Sequence, residues 1–192
     1  MKSFLEALNR PAEAFRNKNR AVAWLLVVFT ILVNGVFEPL LAWFANSRHT
    51  APRIYLMLHL MLRTTLLGFA SYLAICVVFW AVCKYLFGGE TPLKTYIQTW
   101  GLTFFPTLLC SIAVAFSETF FTVFWNNSTW GMFLSIVFVG ILVWKAILYV
   151  IFLREVAGLK GGRMFGAFVV IGVIIIALAL FDGYVGLKTP VI

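Results

Sequence analysis

The stretch "AVAWLLVVFTILVNGVFEPLLAWF", residues 21–44, decides the fold. Its twenty-four residues include a single ionisable side chain, Glu38. At the helical rise of about 1.5 Å per residue the run is long enough to cross a hydrocarbon layer about 30 Å thick. A glutamate followed by Pro39 inside such a run is costly twice over. The charge is poorly solvated there, and the proline removes a helical hydrogen bond.

Outward from this stretch the pattern repeats. Four further apolar runs follow at 54–87, 96–116, 131–153 and 165–187, separated by short polar breaks. Of the 192 residues, 62% are hydrophobic and 11% charged, against about 45–50% and about 25% in soluble domains. Runs of this length exclude the alternating pattern of a membrane β-barrel, so each backbone polar group is satisfied within its own helix. The expected fold is all-α, a polytopic bundle of five transmembrane helices over 21–192, preceded by a leader at 1–20.

Lysine and arginine give the orientation, because cytoplasmic loops are enriched in both. Lys2, Arg10, Arg16, Lys18 and Arg20 precede the first span, Lys84 and Lys94 lie at the second connection, and Arg154, Lys160 and Arg163 at the fourth. Only Arg48, Arg53 and Lys188 fall on the other side. The N-terminus is therefore expected in the cytoplasm and the C-terminus outside. The net charge of +8 reads as a topology signal and a complement to anionic lipid headgroups, centred on the basic N-terminus. It is not read as nucleic-acid binding.

The first run exceeds the apolar core of a cleavable signal peptide and no small-residue cleavage pattern follows it. Ahead of it Phe4, Leu5, Leu8, Ala12 and Phe15 recur at helical spacing among basic residues, which predicts short interfacial helix on the cytoplasmic surface, broken at Pro11. Cys76, Cys83 and Cys110 all lie in apolar runs, where a thiol acts as a small hydrophobe. They have no metal or disulfide spacing.

Ionisable residues at membrane depth are candidates for function. Glu38 and Arg63 both fall in the outer halves of their spans, and Tyr55, His59 and Arg63 share one helical face. Two readings follow. These four residues form a polar site in the outer half, or Glu38 and Arg63 are an ion pair fixing register at the Pro39 kink. Pro106 predicts a second kink in the third span. Lys145, in the fourth span, is expected to extend its stem toward the cytoplasmic headgroups, or to face a cytoplasmic vestibule. Glu118 and Asp182 lie at outer span ends.

Enzymatic chemistry finds little support. Asp182 is the sole aspartate, His49 and His59 lack a placed nucleophile, and no HExxH spacing or phosphate-cradling glycine loop occurs. The chain is read as a non-enzyme without cofactor or metal. Gly158, Gly162 and Gly166 recur every four residues at the start of the fifth run, a spacing for close helix packing and a possible homo-oligomer or membrane-protein partner, or else a loop in need of glycine. The third connection carries Phe120, Phe121, Phe124, Trp125 and Trp130, an interfacial aromatic belt. Its Asn126 and Asn127 begin glycosylation acceptor patterns that matter only in a eukaryotic secretory pathway.

"FGGETPLKTYIQTWGLTFFP", residues 87–106, resembles the signature region of the Yip (Ypt-interacting protein) membrane family. The likeness rests on a Gly-Gly at the end of the second span, a polar turn with Thr91 and Lys94, and Gly101 and Pro106 in the third. "PAEAF" at 11–15 and the stretch from Trp144 through "LREVAGLKGGRMFGAF" are similar to other parts of the family. The resemblance implies five spans and a cytoplasmic N-terminus. Eukaryotic members bind prenylated Rab-type GTPases through a long N-terminal segment with an Asp-Leu-Tyr-Gly-Pro type motif. Twenty residues stand before the first span here, without that motif, so GTPase binding is not carried over. The chain is similar to the short bacterial members. The function expected is membrane organisation or assembly in the bacterial inner membrane, with the endoplasmic reticulum or Golgi as the other location. The other function considered is a small transporter or lipid-handling protein.

Overall fold

The computed structural model describes residues 9–46, 54–120 and 128–184. Among the described residues the chain is helices joined by short turns, without strands, and five helical stretches are long and apolar enough to cross a membrane: Arg20–Leu41, Ile54–Leu86, Leu93–Phe116, Ser135–Glu155 and Gly161–Leu178. The chain is thus the polytopic helical bundle that the apolar runs predict. Much of the loop chemistry read above falls outside the described residues, including Phe4, Leu5, Leu8, Arg48, His49, Arg53, Phe121, Phe124, Trp125, Asn126, Asn127 and Lys188.

Helix α1, Pro11–Arg16, starts at a proline, whose missing N–H is no loss in a first turn. Its Phe15 is buried and meets Phe152 edge-on at 5.8 Å. This part of the leader packs against the end of the fourth span, and Arg16 Nε donates to Glu155 there at 3.2 Å. The first span then begins with α2, Arg20–Leu32, capped by the Asn19 side chain, which accepts from the Val22 N–H. Val22, Ala23, Leu26, Val27, Thr30 and Ile31 are buried while Trp24, Leu25, Val28 and Phe29 are exposed, one helical stripe inward and the rest toward lipid. A π-helical turn, Val33–Phe37, leads into α3, Glu38–Asn46.

The second span is α4, Ile54–Ala81, closed by a π turn at Val82–Leu86. The third is the axis of the bundle. It comprises α5, Leu93–Thr99, a 3-10 segment at Trp100–Phe104, and α6, Phe105–Phe120. Trp100, Tyr96 and Phe104 are fully buried, and Tyr72 of the second span donates to the Ile97 carbonyl at 2.6 Å. The fourth span is α7, Ser128–Glu155, and the fifth is α8, Gly161–Tyr184. Trp100 gathers the core by stacking on Tyr149 with centroids 5.0 Å apart and meeting Phe152 edge-on at 4.8 Å. Aromatic packing of this kind adds about 0.5–1.5 kcal/mol per pair beyond area burial.

Candidate functional site

The Glu38-Pro39 pair has a local explanation. In a regular helix the N–H of residue 39 would bond the carbonyl of Gly35, and proline supplies none. The chain inserts one extra residue, so that the Glu38 N–H bonds back to Val33, a π-bulge of the kind that absorbs such a break. The Gly35 carbonyl, which Pro39 cannot bond, faces the second span. Thr64 Oγ1 lies 3.3 Å from it, 3.2 Å from the Met61 carbonyl and 2.8 Å from the Leu60 carbonyl, so one hydroxyl proton has three acceptors within reach. The two backbones come close here, since a Cβ on Gly35 would overlap Thr65 Oγ1.

Thr64 follows Arg63 directly, so Arg63 lies near the level of the π turn that precedes Glu38. Glu38 is half-buried and Arg63 is exposed. Tyr55, 82% exposed, and His59 also stand on the outer surface of α4. The shared face of Tyr55, His59 and Arg63 is thus exposed along α4. Counted back from buried Gly68, the inward face of α4 passes through Thr65, Thr64 and Met61, nearly half a turn from the Tyr55, His59 and Arg63 face. Spacing fixed the shared face and left its direction to packing.

Lys145 also departs from expectation. Its ammonium does not extend along its own helix. It crosses to the third span, where Nζ donates to Thr107 Oγ1 at 2.6 Å and stands 5.9 Å from the Tyr149 ring centroid. Thr107 is the residue after Pro106, and α6 begins beside this proline where the 3-10 segment ends. The kink at Pro106 thus takes the form of a tightened helix. It is the change of winding that presents Thr107 to the fourth span. Ser111, one turn along the same face of α6, is buried with its hydroxyl unpartnered. No spacing rule pointed to Thr107, Ser111 or Tyr149.

At the α1 end of the bundle the glycines have separate reasons. Gly88 has φ of +71°, a left-handed conformation suited to a helix C-terminus. A Cβ on Gly89 would stand 3.1 Å from the Cys83 carbonyl oxygen, which accepts the Gly89 N–H. Thr91 then donates to the Val156 carbonyl at 2.7 Å, locking the second connection to the fourth. The expected packing stripe of Gly158, Gly162 and Gly166 divides. Gly158 lies outside any helix with φ of +72°, and Gly162 faces open space in the first turn of α8. Gly166 alone is a contact position, since a Cβ there would come within 2.8 Å of Phe87. The loop need for glycine explains the first, and close approach only the last. The two connections frame an open cleft of about 620 Å³ bordered by Glu90, Lys160 and Arg163.

Among the described residues no group of three or more His, Cys, Asp or Glu gathers to hold a metal, and Cys76, Cys83 and Cys110 are free thiols. The family model described as the Yip1 domain matches residues 5–181. No curated protein and no solved structure matches the chain.

Proposed function

Because the chain belongs to the Yip1 domain family, a family of integral membrane proteins, we propose that it acts without catalysis, as a membrane scaffold that assembles through its fifth span. The observation that carries this reading is the imbalance of burial among the spans. Of the apolar stretch of the fifth span 11% is buried, against 56% of the third. Phe165, Val169, Val173, Ile176 and Leu180 are exposed along one face of α8, a continuous stripe at spacings of three and four. The outward polar residues Tyr55, His59 and Arg63 add a second lateral surface on α4.

The orientation belongs to the same proposal. Arg16, Lys84, Lys94, Arg154, Lys160 and Arg163 lie at the end of the bundle that carries α1, which supports placing that end in the cytoplasm.

Self-association through α8 is tested by disulfide trapping in native membranes. In a variant whose Cys76, Cys83 and Cys110 are replaced by alanine, Val173→Cys is expected to cross-link to a dimer on mild oxidation. Ile171→Cys, buried inside the bundle, is expected to remain monomeric. A Val173→Cys yield no higher than that of Ile171→Cys, or one that falls away as lipid is added, would contradict assembly through this face.

A further inference from the structure

Among the described residues, the seam between the third and fourth spans holds buried hydroxyls without a hydrogen-bond partner. Lys145 lies ten residues from Glu155, the end of α7, which is about 15 Å at the helical rise, deep within hydrocarbon about 30 Å thick. The bond to Thr107 uses one of the three ammonium protons and leaves the Thr107 hydroxyl proton free to donate. On the α1 side of the ammonium, Tyr149 is buried with an unpartnered hydroxyl. On the opposite side, Ser111 is 1% exposed with an unpartnered Oγ. Tyr149 shares a helical face with Lys145, and Ser111 shares one with Thr107, each at a spacing of four. Burying such groups unpaired is costly, more so around a cation.

We propose that this seam is a binding site for a monocarboxylate, with Lys145 as its counter-ion and the hydroxyls of Thr107 and Ser111 as donors. A single lysine balances a single negative charge, whereas a phosphate dianion would leave one charge unmatched in a low dielectric. The two carboxylate oxygens offer about four acceptor directions, which suits an ammonium from one helix and hydroxyls from the other. Lys145 and Cys110 are both half-exposed, and Leu109 and Leu142 beside them are exposed. The site therefore opens sideways to the bilayer, with apolar surface for an acyl chain. The carboxylate comes either from a single-chain lipid or from a small soluble acid.

The test uses the full chain in phosphatidylcholine nanodiscs with nitrogen-15 in its lysine side chains. Palmitate and acetate, each labelled with carbon-13 at the carboxyl, are added separately, and the dipolar coupling between the probe carboxyl and lysine Nζ is measured by solid-state NMR. At least one probe is expected to couple. Coupling with palmitate alone identifies the lipid source, and coupling with acetate the soluble one. Lys145→Met is expected to abolish the coupling, and Ser111→Ala to weaken probe binding about fivefold by loss of one donor. No coupling to either probe, or coupling that survives Lys145→Met, overturns the proposal. If Lys145→Met does not fold, unchanged binding in Ser111→Ala overturns it instead.

Discussion

Gly101→Val is expected to leave little folded protein in the membrane. Gly101 sits in the 3-10 segment of the third span, where it presses on the first. A Cβ at this position would overlap the Ala23 carbonyl oxygen and stand 2.6 Å from Val27 Cγ2. The obstacle is helix backbone, which cannot rotate aside as a side chain can. Overpacking typically costs about 1–3 kcal/mol, and with backbone as the obstacle the loss is expected at or above the top of that range. The approach falls within the 3-10 segment Trp100–Phe104, beside the fully buried Trp100. Gly101→Ala should lower the melting temperature in the same direction by a smaller amount. Gly172→Ala is the matched control, since nothing lies within 4 Å of a Cβ there and alanine favours helix over glycine by about 0.5–1 kcal/mol. The measurement is thermal unfolding of the detergent-solubilised variants. A Gly101→Val protein with the wild-type melting temperature would refute the close contact between first and third spans.

Phe15→Ala is expected to release α1 from the bundle while the spans remain folded. Phe15 is 1% exposed, and truncating a buried phenylalanine costs about 3–5 kcal/mol. The Arg16 to Glu155 pair cannot hold the helix by itself. The Arg16 side chain is 66% exposed, and pairs at such sites contribute about 0–1 kcal/mol. The readout is the reaction of a single cysteine at Ala14, a buried position, with a water-soluble maleimide. The reaction should be slow in the parent, fast with Phe15→Ala, and little changed with Arg16→Ala. Equal rates in the parent and Phe15→Ala would show that the contact does not anchor α1.

The two effects differ in how visible they were in the sequence. Gly101 belongs to the stretch that resembles the family signature, yet its role depends on which helix approaches it, and spacing carries no information about that. Five spans were legible because hydrocarbon demands long uninterrupted apolar helix. The break at Pro39 was legible too, since proline always removes a donor. What caught the freed Gly35 carbonyl was not, because Thr64 is an ordinary residue in an apolar helix and its usefulness comes from the rotation of α4. The same ambiguity left open which way the Tyr55, His59 and Arg63 face turns. Lys145 was visible as an anomaly of charge. Its partner Thr107 was hidden, since a threonine after a proline is unremarkable until the third and fourth spans are set side by side. Gly158, Gly162 and Gly166 were open to two readings, a packing stripe or loop glycines. Their spacing of four is a helix pattern, but α8 begins only at Gly161, so the first of the three lies in a turn.

The measurement that bears most directly on the whole arrangement is the labelling of single cysteines at its two ends in intact cells. Lys160→Cys lies in the connection beside α1, and Tyr184→Cys lies at the far end of α8, 88% exposed. A membrane-impermeant maleimide is expected to label Tyr184→Cys from outside and to reach Lys160→Cys only after permeabilisation. Labelling of both positions from the same side would contradict a fifth span that crosses the membrane and, with it, the bundle orientation proposed for this chain.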